Sequence, residues 1–360
     1  LNALTTDTFG SKSTAIGRAA LANQNFGTAT DTFNTAVGYF AGVNVTTGKS
    51  NTLIGGNAAL ALNSGESNVA VGTNSLKTAT GDTETVAVGV QALENQNKNG
   101  TASNTAVGFR AGRDTTTGTS NTFIGAEAGL TVTTGTGQTA VGRGALAAQA
   151  GSDNTAIGNY ALNAATGANN TAVGQVAGFA VTSGGNNLLL GKDAGRTGSP
   201  GGNITTESNN VVLGDDNIQF IFAQVQVISS SDARDKTDFN DLDLGLDFVK
   251  GLSPVTYKWD KRSKYGDKTA DDYDLEAQTP DGTHKEDWLD IGFKAQEVIA
   301  LEEAAGYKIS DKTNLVSNLT QDGKQYGLQY ENFVPILVKA IQEQDAIIQS
   351  LTARITALES

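Results

Sequence analysis

Asn34-Thr35-Ala36-Val37-Gly38 decides the reading of this chain, because the same phase keeps returning after it. Near-copies place a glycine at Gly17, Gly38, Gly55, Gly72, Gly89, Gly108, Gly125, Gly142, Gly158, Gly174, Gly191 and Gly214, with steps of 21, 17, 17, 17, 19, 17, 17, 16, 16, 17 and 23. Twelve copies at a near-constant step predict stacked turns rather than one round core. In Asn51-Thr52-Leu53-Ile54-Gly55-Gly56-Asn57-Ala58-Ala59-Leu60 a short β-prone run meets glycine, and a second short run ends in Ala-Leu or, in other copies, Ala-Gly. Strand, turn, strand, loop is the expected order within each copy. Alternation puts Thr52 and Ile54 on one side and Leu53 and Gly55 on the other. The second side is mostly small, as at Ala36/Gly38, Ala106/Gly108 and Ala156/Gly158, so backbones are expected to approach there. The Ile/Val row is expected to form the buried stripe. Turns stacked at about 4.8 Å give a body on the order of 55 Å long.

Working outward, composition sets the limits. Gly numbers 43 and Pro 4 in 360 residues, and aromatics make up 6%, so a single coil has a thin core and needs partner chains along its flank. Residues 1–209 carry 10 basic and 11 acidic side chains, leaving 15 and 27 for the rest of the net −13. The repeats are thus nearly neutral and the acidity is C-terminal; no basic stripe for nucleic acid is present. With no Cys there are no disulfides or thiolate metal sites. A start at Leu1 and the absence of Met predict a piece of a longer or processed chain. No apolar run reaches membrane-spanning length, so no membrane insertion is expected. The longer steps before Gly38, Gly108 and Gly214 mark loops open to surface variation. The repeats themselves read as a spacer, as a receptor-binding surface, or as an ice-binding ladder of one Thr per turn (Thr35, Thr52, Thr105, Thr122, Thr139, Thr155, Thr171), the last a poor lattice match.

The A-[VI]-G-x-x-A phase resembles the head repeats of trimeric autotransporter adhesins and repeat segments of phage tail fibres, over roughly 200 residues. That resemblance implies left-handed parallel β-rolls wound into trimers.

After Gly214 the pattern changes. Ile218 to Ile228 form the longest β-prone run, followed by Ser229-Ser230-Ser231-Asp232-Ala233-Arg234-Asp235-Lys236 and a compact acidic module. Further on come Leu252-Ser253-Pro254-Val255-Thr256-Tyr257-Lys258-Trp259, then Ile291-Gly292-Phe293-Lys294-Ala295-Gln296-Glu297-Val298, then Tyr330-Glu331-Asn332-Phe333. In this order, over about 130 residues, these segments resemble the C-terminal intramolecular-chaperone autoproteases of phage tail fibres and tailspikes, the endosialidase type.

A serine with a nearby lysine can serve as nucleophile and base without histidine, provided the amine is desolvated. Ser231 and Lys236 are five apart, so one turn can bring them within reach. The resemblance implies Ser231 as nucleophile, Lys236 as general base and cleavage at Ser230–Ser231, with Asp232 and Arg234 holding the turn. It also implies supporting places for Gly292, Gln296 and Glu297. The residue-level alternative is a solvated Asx-type turn. Asp290 stands where some members of that family carry a basic residue; the only histidine, His284, is expected on a surface loop. Residues 260–287, polar and charged, read as a surface insertion; Asp271, Asp272 and Asp274 lack the glycine and terminal Glu of an EF-hand, and no metal or other cofactor is expected.

From Asn332, a plausible N-cap, a helix is expected, with Pro335 tolerated in its first turn. Leu337, Ile341, Gln344, Ile348, Leu351, Ile355 and Leu358 alternate steps of four and three, a heptad seam on a rod of roughly 42 Å. Ile with Leu at such a seam favours two strands; the two resemblances imply three. The bland alternative is a helix folded onto its own domain.

The expected architecture is mainly β: an elongated trimeric parallel β-roll or solenoid over 1–215, a strand junction over 216–230, a small α+β chaperone domain over 231–331 and a coiled-coil helix over 332–360. The expected function is a viral tail-fibre shaft or receptor-binding segment, made in the host cytoplasm and placed in the virion tail. A C-terminal clamp trimerises it and then cuts itself off. Expected partners are two further copies, tail proteins toward the N-terminus and a host surface receptor. The alternatives are a bacterial trimeric surface adhesin, which needs a membrane anchor, and a polysaccharide-degrading tailspike, which needs clustered inward carboxylates.

Overall fold

A computed structural model of the chain describes residues 2–218, 220–222, 231–268, 270 and 272–359. The described residues form two compact units, Leu1–Asn217 and Ile218–Ser360.

The first unit is a parallel β-solenoid. Twelve strands of three residues, from Thr14–Ile16 to Val211–Leu213, form one sheet in strict sequence order. Every neighbour is parallel and in like register, as in Thr35↔Thr52, Ala36↔Leu53 and Val37↔Ile54. The longer steps are accommodated without losing that register. The 21-residue step adds a parallel pair, Gly10–Ser11 with Thr30–Asp31, and the 19-residue step adds a single bridge between Thr83 and Thr101.

The inside and outside of this coil are the reverse of the sequence expectation. The middle strand residue points inward and is fully buried: Ala36, Leu53, Ala70, Ala87, Ala106, Phe123 and their equivalents. The Ile/Val row, expected to be the buried stripe, faces out; Ile54 is 37% exposed, Val107 38%, Ile124 41% and Val173 37%. The reason is the width of the coil. At most turns its interior holds a strand alanine facing a leucine or valine from across the turn, such as Leu62, Leu76, Leu93 or Val132. A β-branched row on the same side has no room.

The second expected strand also does not form. Two residues after each stacked glycine the backbone is left-handed (Phe40 φ 54°, Gln91 φ 60°, Tyr160 φ 56°), and four residues after it again (Leu21 φ 47°, Leu93 φ 47°, Gly112 φ 58°). Amides of this segment still bond turn to turn, as in Gly42 N–H to Ala58 O at 2.9 Å. The choice between Ala-Leu and Ala-Gly is volume compensation. Glycine occurs where a large side chain arrives from the strand. A Cβ on Gly42 would sit 2.5 Å from Leu53 Cδ1, and one on Gly112 would sit 2.6 Å from the Phe123 ring.

A ladder of buried amides runs beside the core. The residue before each strand is Asn at most turns, and it is buried at Asn34, Asn51, Asn68, Asn104, Asn121, Asn154 and Asn170. Asn51 Oδ1 accepts from Asn68 N–H at 3.0 Å, while Asn51 Nδ2 donates to Gly65 O at 2.9 Å. Each rung thereby satisfies the loop of its own turn and the backbone of the next.

In the second unit, Val255–Tyr257 pairs antiparallel with Asp290–Gly292, and Ser317–Leu319 pairs antiparallel with Tyr326–Leu328. Helix α1 (Leu246–Gly251), α2 (Ala295–Ala304) and the start of α3 (Phe333–Glu359) close a core of Leu244, Phe248, Val298, Val316, Phe333 and Ile336. Within the stretch read as a surface insertion, Leu275 is fully buried. No helix among the described residues is long and apolar enough to cross a membrane.

Candidate functional site

The segment around Ser231 folds by its own side chains. Asp232 is extended (φ −66°, ψ 128°) and caps the 3-10 turn Ala233–Asp235. Its Oδ1 accepts from Arg234 N–H at 2.9 Å, and its Oδ2 accepts from Arg234 Nη2 at 2.6 Å. The Arg234 guanidinium, followed by the Arg234 backbone N–H, holds the Asp232 carboxyl below the usual carboxylate range. Beyond the turn Lys236 is extended again, and its side chain folds back over it, so that Lys236 Nζ lies 2.6 Å from Ser231 Oγ. Ser231, Asp232, Arg234 and Lys236 are thus brought together. Ser231 and Lys236 are both exposed in the single chain.

A pair at this distance can pass a proton from the hydroxyl to a neutral amine, which leaves an alkoxide able to attack a carbonyl. Burial favours the neutral amine, and the single chain does not bury this one. Among the described residues the pair is close and exposed.

The other residue of the expected scissile bond, Ser230, lies outside the described residues, as does most of the strand expected over Ile218–Ile228. The described members of that run, Ile218, Phe220, Ile221 and Phe222, belong to no strand.

Gly292, Gln296 and Glu297 have other surroundings. Gly292 ends the strand Asp290–Gly292, and a Cβ there would overlap Tyr330 Oη, which accepts from Phe293 N–H at 3.2 Å. Glu297 pairs with Lys294 at 2.8 Å in the first turn of α2, and Gln296 is exposed beside it. Asp290 accepts from Trp259 Nε1 at 3.2 Å. The Tyr257 hydroxyl is pushed up, first by burial and then by the Asp290 charge. His284 sits edge-on against Tyr265, 4.8 Å between ring centroids, in an exposed stretch.

The sequence reading missed Glu302. This carboxylate is fully buried on α2 and accepts from three consecutive amides: Leu315 at 2.7 Å, Val316 at 2.8 Å and Ser317 at 3.0 Å. It aligns the strand Ser317–Leu319 against the helix. An acid in the phase of Val298 and Leu301 was the available signal.

Asn332 is the residue immediately before α3. It sits in a 3-10 turn, and its Nδ2 donates to Leu315 O at 2.6 Å. Phe333, Ile336 and Ala340 bury the first turns of α3 in its own domain. The heptad positions face outward: Leu337 is 43% exposed, Ile341 64%, Ile348 53%, Leu351 48%, Ile355 55% and Leu358 86%, with Gln344 exposed among them.

Residues 231–307 match the family described as the chaperone of endosialidase, so the match begins at the serine of the Ser231–Lys236 pair. A domain of that family together with a parallel β-solenoid fits a phage tail fibre or tailspike with a C-terminal chaperone domain. Neither the curated proteins nor the solved structures give a match.

Proposed function

We propose that this chain is a trimeric tail-fibre segment whose C-terminal unit gathers three copies and then cuts itself off at Ser230–Ser231. The observation that carries the reading is the 2.6 Å contact between Ser231 Oγ and Lys236 Nζ, in a turn that Asp232 and Arg234 hold closed. The outward heptad seam of α3 supports association of copies, since an apolar row of that spacing is otherwise left to water; the number three rests on the resemblances. Gathering three chains at one end raises their effective concentration for each other before any non-local winding begins. Assembly then covers the exposed dyad, so that Lys236 as a neutral amine takes the Ser231 hydroxyl proton while Oγ adds to the Ser230 carbonyl; the Ser230–Ser231 C–N bond breaks as Lys236 returns that proton to the Ser231 nitrogen, and water hydrolyses the resulting ester. Release of the clamp leaves the fibre unable to unfold by reversing its path. In this reading the protein is made in the host cytoplasm and resides in the virion tail. It meets other tail proteins toward its N-terminus and a host surface receptor.

The test is a denaturing gel of the expressed chain. Wild type should give fragments of 230 and 130 residues, while Ser231→Ala and Lys236→Met should stay at 360. N-terminal sequencing of the short fragment should begin at Ser231. A wild-type chain that is trimeric yet whole would remove the protease step and leave the clamp.

A further inference from the structure

We infer that the outward Ile/Val/Leu stripe of the solenoid is where copies of this chain pack on one another, and that the stripe supplies attraction without register. The inference rests on the trimer proposed above and adds the face and the limit of what it encodes.

The stripe is continuous. One aliphatic residue per strand, from Ile16 through Val37, Ile54, Val71 and onward to Leu213, sits directly over the next in the parallel ladder. The outward strand positions, two on each of twelve strands, hold only Thr, Val, Ile and Leu, with no ionisable group among the twenty-four. In repeats that are nearly neutral overall, this is a face that like copies can bring together without charge repulsion. Exposures of 37–41% at Ile54, Val107, Ile124, Ile157 and Val173 correspond to on the order of 700 Å² of stripe per chain, close to the ~800 Å² per partner of a stable interface. The occupant that fits is a second copy. A row of single branched residues at strand spacing is matched by another such row, and three can meet on one axis.

The same regularity removes register. The stripe reads Ile, Val, Ile, Val, Val, Val, Ile, Val, Ile, Val, Leu, Leu from end to end. A slip of one turn, about 4.8 Å, exchanges residues that differ by one methylene and loses contact only at the ends. Nothing periodic can forbid that slip. Alignment has to come from the non-periodic C-terminal unit, which gives the clamp a specific task.

The absence of cysteine from the chain makes the test direct. Single-cysteine variants of the full chain, in a Ser231→Ala background, are oxidised mildly and run without reductant. Ile124→Cys should give covalent dimers, and Thr117→Cys, exposed on a loop outside the stripe, should not. Chains with Val88→Cys and Ile124→Cys, co-expressed with tags of different size, should give no mixed dimer. Those sites lie two turns apart, about 10 Å, beyond the ~4.5 Å Cβ–Cβ reach of a disulfide. Adding Ile348→Asp and Leu351→Asp should make the mixed dimer appear. A trimer by light scattering with no cross-link at Ile124 overturns the stripe and leaves the trimer standing; a monomer overturns both. Mixed dimers with the helix intact, or none with it disrupted while 124–124 dimers persist, overturn the register argument. Loss of all cross-links on disrupting the helix shows a stripe without attraction of its own and overturns it as well.

Discussion

Gly100 and Gly108 share a φ of +143°, which is glycine territory, and differ in what a methyl group would meet. At Gly100 an added Cβ has nothing within 4 Å. At Gly108 it lands 2.5 Å from Gly125 O and 2.6 Å from Gly125 C, both backbone of the next turn. Gly100→Ala therefore carries backbone strain alone, about 1–3 kcal/mol. Gly108→Ala carries the same strain and also forces two turns apart. The separation breaks ladder bonds between those two turns, such as Gly125 N–H to Val107 O and Thr105 N–H to Asn121 O, both 2.8 Å, at about 1 kcal/mol each. With two such bonds lost the total for Gly108→Ala is about 3–5 kcal/mol, and nearest-neighbour coupling concentrates it at one rung. Gly27→Ala is the control, with a free Cβ site and no positive φ, and should be neutral or slightly stabilising. The assay is urea unfolding followed by far-UV circular dichroism, all variants in a Ser231→Ala background so that the chain stays whole. The expected order of stability is Gly27→Ala, then Gly100→Ala, then Gly108→Ala. A Gly108→Ala protein no weaker than Gly100→Ala would refute the claim that glycine contact sets the rung spacing.

Asn121→Ala should lower stability by about 2–4 kcal/mol, because it strips partners from buried Gln138 N–H and Gly135 O; the same denaturation series reads it. Phe123→Ala should lower stability by about 3–5 kcal/mol through the cavity it leaves between Gly112 and Gly129. Gly129→Leu should recover part of that loss, since Leu21 and Leu93 take the equivalent left-handed position at φ 47°, and on its own should be worse than neutral; failure to recover would sink the volume-compensation argument. Deleting residues 337–360 should give monomeric or aggregated chain by light scattering, and a soluble trimer from it would take α3 out of assembly.

The period was legible because glycine must recur wherever backbones stack at rung distance. The serine–lysine pair was legible because Asp232 and Arg234 close a local turn that does not depend on tertiary context. What failed was the choice of face. Alternation assigns Ala36 and Val37 to opposite sides but does not say which is inside, and hydrophobicity favoured valine. Space decided it: the bore takes one large side chain per turn, so the strand position is alanine where a leucine faces it and becomes Leu53 or Phe123 where glycine does. The second strand failed for a related reason, since Phe40 and Gln91 give no hint of a positive φ without the turn beside them. The buried asparagines, one before each of most strands, were not legible as interior residues because an amide is usually a surface residue and only the stacked backbone supplies its partners.

The contact between Ser231 and Lys236 changes what assembly has to contribute in the proposed mechanism. If the two side chains met only in the assembled particle, encounter would be the trigger, and cleavage would report nothing finer than association. They already meet within one chain, at 2.6 Å, on a turn stabilised by neighbours two residues apart. Among the described residues both groups are exposed, and a serine–lysine pair works as nucleophile and base only where water is kept from the amine. The step left for assembly is the exclusion of water, which a loosely associated or misregistered set of chains achieves poorly. Gating by desolvation is therefore stricter than gating by encounter. It ties the cut to close packing around the turn, which a periodic stripe cannot by itself guarantee.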